Sequence, residues 1–288
     1  MVCVGHAYPY FRDVLVNRGT GKYPYAMNEG TSIRIALAGA GGRMGREALK
    51  ALTPEHGFEI VLATGRKDAG RNAAEFGGRD LVLKTGLDDS PFDVLVDLSH
   101  HSSAAEHAET ALARGASVVI GATGLTSDSI RRIESASAEA DKGVLIVPNF
   151  SVGAVLMMRF AEMAAAWMPD VEILELHHER KEDAPSGTAM LTAHLIAEAR
   201  REAPTELPIP FLKAEGARGA DVEGVPIHSV RLPGYLAHQA VMFGGPGESL
   251  TIRHDSMDRV SFMPGVRLAA RRVREIRGVV TGLDKVLF

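Results

Sequence analysis

Short apolar runs alternate with helical patterns along the first half of the chain. The apolar runs lie at 33–38, 58–64, 92–98, 117–120 and 143–147, and each has the length of a buried strand. Stretches with helical spacing lie between several of them, including 102–114 and a stretch that ends at residue 140. This alternation predicts an α/β fold with a Rossmann-type, doubly wound parallel sheet.

The pattern changes after residue 150. An apolar helical stretch at 151–167 precedes a strand at 172–176, a helix that begins near Ser186, and strands at 226–232, 236–243 and 249–254. These last strands have a period near two and no helices between them, which predicts a second α+β domain with an open mixed or antiparallel sheet. The alternating apolar residues of such a sheet need a cover, so we expect an oligomer that supplies it.

These patterns divide the chain into segments. Residues 1–32 lack a sustained period and the apolar core of a signal peptide, so we expect a poorly structured extension. Residues 33–150 are predicted to form a dinucleotide-binding domain, and residues 151–257 a substrate-binding and oligomerisation domain. Helices from about 258–288 are predicted to return to the first domain.

A glycine-rich string joins the first predicted strand to the first helix. After 33–38 the chain reads G-A-G-G-R-M-G, with glycines at 39, 42 and 45 and an additional Gly41. Glycine permits the tight turn, lets the backbone approach a pyrophosphate, and lets the helix pack closely on the strand. The string therefore predicts dinucleotide binding. The alternative is a glycine-rich turn in a sheet that binds no nucleotide.

The residues after the second strand bear on the choice of nucleotide. An NAD site usually has an acid here that accepts a hydrogen bond from the ribose 2′-hydroxyl. This chain instead reads Gly65, Arg66 and Lys67, and the two cations favour the 2′-phosphate of NADP(H). Asp68 follows directly, and this acid is close enough along the chain to keep NAD(H) as the alternative. NADPH is therefore the expected cofactor, with NADH as the alternative.

Other strand ends supply candidate ligand-binding loops. In an open parallel sheet, ligands lie outside the carboxyl ends of the strands. Residues 121–123 (G-A-T) and 147–150 (V-P-N-F) follow two predicted strands, and we place them near a nicotinamide. His100 and His101 also follow a strand, but we expect them to be solvated or to support other residues.

The most distinctive stretch is 175–189, which reads E-L-H-H-E-R-K-E-D-A-P-S-G-T-A. His177, His178 and Lys181 leave a predicted strand, while the S-G-T tripeptide at 186–188 opens a helix. Free N–H groups and the dipole at a helix N-terminus attract anions. A cationic loop that faces such a helix start predicts a pocket for a carboxylate or phosphate.

Two other interpretations of this stretch stay open. Histidine is often structural, and a serine or threonine at a helix start often only caps the helix. A metal site is the second alternative, since Glu175, His177 and His178 are potential ligands. On a strand, however, His178 points away from the other two, and no further His or Cys cluster in the sequence completes a ligand set. We therefore expect no metal.

Composition narrows the class of protein. The 288 residues carry a net charge of −4 and one cysteine, Cys3. The small negative charge argues against nucleic acid or an anionic membrane as the main partner, and one cysteine excludes an internal disulfide. No uninterrupted apolar run is long enough to span a bilayer. We expect a cytoplasmic protein that acts on a small molecule.

Four motifs, taken in order, resemble the 4-hydroxy-tetrahydrodipicolinate reductase family, also called dihydrodipicolinate reductase. They are G-A-G-G-R-M-G, V-I-G-A-T-G, N-F-S-V-G and the 175–189 stretch, and the match runs from Ile33 to the C-terminus. The resemblance implies a Rossmann domain and a second domain that forms a homotetramer. It also implies reduction of a cyclic imine dicarboxylate with NADPH or NADH, in lysine and diaminopimelate biosynthesis.

The resemblance also implies residue roles. His177 corresponds to the family's proton donor and Lys181 to a second catalytic proton donor. Substrate-binding positions correspond to His178, Gly187 and Thr188, and we add Ser186 because its hydroxyl opens the same helix. Cofactor contacts correspond to Gly39, Ala40, Gly41, Gly42, Arg43, Met44, Arg66, Gly121, Ala122, Thr123, Val147, Pro148, Asn149 and Phe150, with Arg66 at the 2′-phosphate.

Departures from the family's pattern concern particular contacts. Ala122 stands where a threonine is common, which removes one hydroxyl contact. Gly65 stands where the family often has an acid, which weakens the case for use of both nucleotides. Residues 213–224 match the family's substrate-domain loop only loosely. The alternatives are another two-domain amino-acid or semialdehyde dehydrogenase, and a non-catalytic nucleotide-sensing protein that would lack the proton donors.

Overall fold

The computed structural model describes residues 32–205 and 211–288, and the predicted extension at 1–32 lies outside them apart from Ser32. The strands are β1 (Ile33–Ala38), β2 (Phe58–Thr64), β3 (Val94–Asp97), β4 (Ser117–Ile120), β5 (Gly143–Ile146), β6 (Asp170–His177), β7 (Ala220–Val222), β8 (Val225–Arg231), β9 (Ala237–Gly245), β10 (Glu248–Ser256) and β11 (Gly278–Thr281). The helices are α1 (Arg43–Ala51), α2 (His101–Ala113), α3 (Ser127–Ala140), α4 (Val152–Ala165), α5 (Gly187–Ala199), α6 (Met263–Arg272) and α7 (Asp284–Leu287). None of the helices in these ranges combines the length and apolarity needed to cross a membrane.

The first sheet confirms the predicted Rossmann-type fold. Its six strands are parallel and stand in the order β11-β5-β4-β3-β1-β2. Because β1 lies between β2 and β3, the chain leaves β1 for one edge of the sheet and then returns to its other side. The carboxyl end of β1 is therefore a topological switch point, where open α/β sheets bind ligands. Apolar residues of α1 and α6 cover one face of the sheet, and those of α2 and α3 cover the other.

The C-terminal segment adds a strand to the predicted helices. Residues G-V-V-T form β11, which pairs in parallel with β5 at the edge of the first sheet. Only helices were predicted for 258–288, so this strand corrects that prediction. Its identity as a strand depends on its partner β5, which lies more than 130 positions earlier.

The second sheet is mixed, in agreement with the predicted second domain. Its order is β10-β9-β6-β8-β7, and β6 runs parallel to β8 and antiparallel to β9. Along β6, which packs against α5, Val171, Ile173 and Glu175 are buried, while the residues between them are partly exposed. On the opposite face, Met242 is 37% exposed and Leu174 is partly exposed. This face has no cover among the described residues.

One apolar core connects the two sheets. It includes Leu37 and Phe58 from the first sheet, Phe150 from the connection, and Ile173 and Phe243 from the second sheet. The connection after β5 leads directly into α4, which packs against β9 and β10. The strand ends of the first sheet are thereby held facing the second sheet.

Candidate active site

A cavity of about 350 Å³ lies where the strand ends of the first sheet face the second sheet. Its walls bring together residues from the glycine-rich string, from the loops after β4 and β5, and from β6, α5, β9 and β10. The predicted site residues that line it are Met44, Gly121, Pro148, Asn149, Phe150, His177 and Thr188. One space therefore contains predicted cofactor contacts together with a predicted proton donor.

The glycine-rich loop after β1 has no room for side chains at two positions. Gly39 has φ +79°, and a Cβ built there would lie 2.6 Å from the carbonyl oxygen of Leu98. A Cβ on Gly45 would lie 2.0 Å from the carbonyl oxygen of Gly39. The glycines therefore let α1 start directly against the loop, as the sequence pattern required.

The start of α1 leaves backbone donors free. Gly42 is the N-cap and provides no side-chain cap, so the first N–H groups of the helix are available to a ligand. Arg46 Nε donates to the carbonyl oxygen of Gly41 at 2.8 Å and holds the loop against the helix. A close backbone cradle with free N–H groups fits the pyrophosphate of a dinucleotide.

The remaining predicted cofactor residues surround this loop. Arg66 and Lys67 are exposed after β2, and neither makes an ion pair within the part of the chain that the structure describes. Val147 is fully buried, Ala122 is buried and Thr123 is exposed. A Cβ on Gly121 would lie 2.6 Å from Cε2 of Phe150, so the Phe150 ring packs directly on the loop after β4.

The loop after β5 links the two halves of the cavity. Asn149 Nδ2 donates to Thr188 Oγ1 at 3.2 Å, and Asn149 Oδ1 accepts from the N–H of Ser151 at 2.8 Å. Ser151 Oγ caps α4 by accepting from the N–H of Ala154, and it also lies 3.0 Å from Nε2 of His254 on β10. These bonds join the nucleotide side of the cavity to the first turn of α5 and to the second sheet.

His177, the last residue of β6, is oriented by a buried carboxylate. Its Nδ1 hydrogen-bonds to Oε2 of Glu175, two residues earlier on the same face of the strand. Arg231 donates to both oxygens of Glu175, at 3.0 and 2.8 Å, and to the carbonyl oxygen of Asp183 at 2.7 Å. With Nδ1 engaged, Nε2 is the ring nitrogen that remains available to a ligand.

The same contacts keep Glu175 ionised. Burial acts to raise the pKa of this carboxyl, but hydrogen bonds from His177, Arg231 and Ser229 outweigh it and lower the pKa to about 2. The ionised Glu175 carboxylate is therefore held in hydrogen bonds to His177 and Arg231. Among the described residues, no group of three His, Cys, Asp or Glu side chains is placed to hold a metal ion.

Lys181, predicted as a second proton donor, and His178, predicted to bind the substrate, lie on the loop after β6 and are not among the residues that line the cavity. Lys181 Nζ is paired with Asp183 Oδ1 at 2.6 Å, and this hydrogen bond lowers the pKa of the Asp183 carboxyl. His178 Nδ1 accepts from the N–H of Arg180 at 3.2 Å. Partial burial and then the charge of Arg180 lower the pKa of His178.

Ser186 is the N-cap of α5. Its side chain is buried, and its Oγ accepts from the N–H of Ala189 at 3.2 Å. The helix N–H groups of Gly187 and Thr188 have no acceptor among the described residues. The anion-binding capacity predicted for the S-G-T start thus lies in these two N–H groups and in the Thr188 hydroxyl, while the Ser186 hydroxyl is occupied by the cap.

Several polar residues of the site were not predicted from the sequence. Arg231 holds Glu175, while Gln239, His254 and Arg259 line the cavity. The strand register explains the positions of Gln239 and His254. Gln239 pairs with Glu175 on β6, and His254 pairs with Gln239 on β9. The period of two in 236–243 indicated that Gln239 and Val241 share a face, but only the pairing shows that this face meets the cavity.

Comparison with known proteins identifies two matching family models. Residues 33–150 match the model described as dihydrodipicolinate reductase, N-terminus, and residues 153–287 match the model described as dihydrodipicolinate reductase, C-terminus. The 4-hydroxy-tetrahydrodipicolinate reductases of Geobacillus kaustophilus and Halalkalibacterium halodurans are 48% and 45% identical to the chain. These alignments cover 89% and 88% of this chain and 99% of each relative.

Solved structures agree with this match. A dipicolinate-bound dihydrodipicolinate reductase from Paenisporosarcina sp. TG-14 superposes with a TM-score of 0.79 at 41% identity, over 89% of this chain and 100% of that chain. An amine dehydrogenase from Mycobacterium smegmatis has a TM-score of 0.61 at 13% identity, over 90% of this chain and 97% of that chain. The second likeness is one of fold alone.

Proposed function

Since the chain belongs to the dihydrodipicolinate reductase family, we propose that the cavity between its two sheets is the active site for the family's reaction. The protein is an NAD(P)H-dependent oxidoreductase that reduces 4-hydroxy-tetrahydrodipicolinate to tetrahydrodipicolinate in lysine and diaminopimelate biosynthesis. The observation that carries the assignment is that His177, held by Glu175, shares one cavity with Gly121 and Phe150 of the nucleotide half. A non-catalytic nucleotide sensor would have no need for this oriented imidazole.

The first sheet supplies the nucleotide site. The N–H groups at the start of α1 bind the pyrophosphate, and the loops at 121–123 and 147–150 border the nicotinamide. A nicotinamide dinucleotide bound in this way supplies the hydride. Arg66 and Lys67 are exposed cations at the end of β2, so we propose that they bind a 2′-phosphate and that NADPH is preferred over NADH.

The second sheet supplies the proton. Hydride addition to the conjugated ring leaves negative charge that must be neutralised, and the net reaction takes up one proton and releases the 4-hydroxyl as water. We assign the proton transfer to Nε2 of His177, because Nδ1 is held by the ionised Glu175, which stabilises the imidazolium. Lys181, held by Asp183, is the second proton donor at the rim.

The substrate carries two carboxylates, and the site offers a cluster of donors for each. We propose that the N–H groups of Gly187 and Thr188 and the Thr188 hydroxyl bind one carboxylate. Arg259, which lines the same cavity, and His178, on the loop beside it, bind the other. The dipicolinate bound in the solved relative is also a ring with two carboxylates, which supports a pocket of this kind.

We further propose a cytoplasmic homotetramer built on the second sheet. Met242 and Leu174 leave apolar surface on the face of this sheet opposite the helices, and a second copy of the chain would cover it. The single cysteine fits a reducing compartment. Light scattering of the purified protein tests the assembly, and a monomer at micromolar concentration would contradict it.

A coupled assay tests the proposed activity. A synthase generates the cyclic substrate from pyruvate and aspartate semialdehyde, and oxidation of NADPH and NADH is followed in parallel. We expect turnover with both nucleotides and a higher kcat/KM with NADPH. Folded protein that binds NADPH but turns over neither nucleotide would redirect the assignment to another dehydrogenase or to a nucleotide sensor.

A further inference from the structure

The turn after β2 brings a carboxylate back to the glycine-rich loop. Gly65 occupies the position where an NAD site usually has its acid, and the N–H of Asp68 donates to the carbonyl oxygen of Gly65 at 3.1 Å. The N–H of Gly65 is held by the carbonyl oxygen of Lys84 at 2.9 Å. This turn reverses the direction of the chain. It brings Asp68 back to the end of β2, where Gly65 has no side chain.

The Asp68 carboxyl group lies directly over Gly41. A Cβ built on Gly41 would lie 2.0 Å from Oδ2 of Asp68 and 2.6 Å from its Cγ. A Cβ built on Gly65 would lie 3.5 Å from the backbone nitrogen of Gly41 and 3.8 Å from Cβ of Asp68. The carboxyl group of Asp68 therefore occupies the space that a side chain at position 41 would fill, which explains the additional glycine of the string.

A second set of contacts fixes the direction of this carboxylate. Arg71 donates to Asp68 Oδ1 at 2.9 Å and to Glu75 Oε2 at 3.0 and 2.8 Å. The Arg71 guanidinium also lies 4.3 Å from the centre of the Phe76 ring. Asp68 Oδ2 has no hydrogen-bond partner among the described residues, so one oxygen is anchored and the other is a free acceptor at the nucleotide loop.

We propose that Asp68 is the residue that lets this enzyme use NADH, by accepting a hydrogen bond from the 2′-hydroxyl of the adenosine ribose. The inference rests on the dinucleotide site proposed above. In a Rossmann domain the pyrophosphate lies at the glycine-rich loop and the ribose beside the end of the second strand. Asp68 contacts both elements, since its Oδ2 lies against Gly41 of the loop and its Cβ lies 3.8 Å from a Cβ built on Gly65 at the strand end.

The same turn then presents opposing charges to the two nucleotides. Arg66 and Lys67 attract the 2′-phosphate of NADPH, whereas the Asp68 carboxylate repels it and binds the 2′-hydroxyl of NADH. Cofactor preference is therefore set by a balance within three consecutive residues. Removal of the carboxylate shifts the balance toward NADPH, and removal of the Arg66 cation shifts it toward NADH.

The test measures the dissociation constants of NADH and NADPH by fluorescence titration of the full-length protein, together with kcat/KM for each. Asp68→Asn is expected to weaken NADH about tenfold, the effect of losing one hydrogen bond to a charged group, while NADPH affinity stays equal or rises. Arg66→Ala is expected to weaken NADPH by a similar factor and to leave NADH affinity unchanged.

Glu59→Gln is the matched control. It removes the same unit of charge from β2, but Glu59 lies near the start of that strand and pairs with Arg79. It should leave the ratio of the two affinities unchanged. Equal loss of NADH and NADPH binding in Asp68→Asn, or an equal shift of the ratio in Glu59→Gln, would overturn the proposal.

Measurements of nucleotide binding distinguish a failure of this proposal from a failure of the proposed function. If the parent protein binds both nucleotides but does not turn over the cyclic substrate, the reaction assignment fails, while the titrations still test Asp68. If turnover is observed and Asp68→Asn keeps the parent ratio, only the role of Asp68 fails. Continued NADPH binding also shows that the variant is folded.

Discussion

The cavity has two walls that differ in the atoms that form them. The nucleotide wall consists of the glycine-rich loop and the loops after β4 and β5, and the substrate wall consists of residues from β6, α5, β9 and β10. The nucleotide wall is mostly backbone, and at Gly39 and Gly45 a Cβ would overlap a carbonyl oxygen. The substrate wall depends on charged side chains that hold one another, with Glu175 fixed by Arg231 and His177 fixed by Glu175. The nucleotide wall obtains its shape from glycines that lack a side chain, and the substrate wall from polar side chains that hydrogen-bond to one another.

This difference predicts different responses to substitution. A backbone cradle binds through N–H groups that every residue has, so it is sensitive to added volume. A hydrogen-bonded set of side chains is sensitive to the loss of a single acceptor, because its partner is then left buried and unsatisfied. Four substitutions test the comparison, in order of expected effect.

His177→Ala should have the largest effect. It removes the proposed proton donor, and positioned proton transfer is typically worth about 10²–10⁴-fold in rate, so kcat should fall within that range. The affinity for NADPH, measured by titration, should stay within about twofold because the nucleotide wall is unchanged. His194→Ala is the control, since His194 is an exposed residue of α5 that pairs with Glu223 away from the cavity.

Glu175→Gln should lower kcat by about 10- to 100-fold, because a neutral amide no longer stabilises the imidazolium and Arg231 loses its ionic partner. Glu172→Gln is the matched control on the opposite face of β6, where Glu172 contacts Arg218 and His228. It should keep kcat within about twofold. Equal losses in the two variants would remove the special role of Glu175.

Acid denaturation tests the same carboxylate by stability. The folded-state pKa of Glu175, about 2, lies below its ordinary value of 4.5. Its ionised form therefore contributes stability above about pH 4.5, and this contribution is lost as the pH falls toward 2. Unfolding free energies measured across this window should depend less steeply on pH in Glu175→Gln than in the parent protein.

Gly45→Ala should raise the KM for NADPH about tenfold with a smaller change in kcat. The added Cβ would lie 2.0 Å from the carbonyl oxygen of Gly39, so α1 must move away from the loop that binds the nucleotide. Gly86→Ala is the control, because a Cβ there meets nothing within 4 Å. An unchanged KM in Gly45→Ala would show that the close packing of α1 does not support nucleotide binding.

Thr188→Val should have the smallest effect of the four substitutions, a rise of about three- to tenfold in the KM for the cyclic substrate at nearly constant kcat. It removes the hydroxyl that accepts from Asn149 but keeps the side-chain shape and the helix N–H groups. Thr188→Ser, which restores the hydroxyl, should return KM toward the parent value. If Thr188→Val and His177→Ala changed kcat and KM by the same factors, the assignment of substrate binding to Thr188 and of proton transfer to His177 would be contradicted.

Much of the fold and part of the site could be predicted from local sequence. The runs at 58–64 and 117–120 coincide with β2 and β4, and Ser186 caps α5 as predicted. The predicted glycine positions were sufficient to place a nucleotide loop after β1. These features depend on neighbouring residues, whose spacing sets both the period of burial and the capping hydrogen bond.

The sequence pattern did not predict which side chains contact one another around the site. Lys181 stays the predicted second proton donor, and its pairing with Asp183 is visible only in the structure. Asp68 was considered only for its distance along the chain from Arg66, whereas the turn at 65–68 places its carboxyl group over Gly41. Spacing in the sequence does not reveal which side chain occupies the space left by a glycine.

The two-sheet architecture, the glycine-rich loop and the S-G-T helix start could all be predicted from the amino-acid sequence, because each follows from the period and conformational limits of consecutive residues. Three further contacts became visible in the folded chain: β11 pairs with β5, Gln239 and His254 reach the cavity, and Arg231 holds Glu175. These contacts depend on strand register, which is set by the combined packing of segments far apart in the chain.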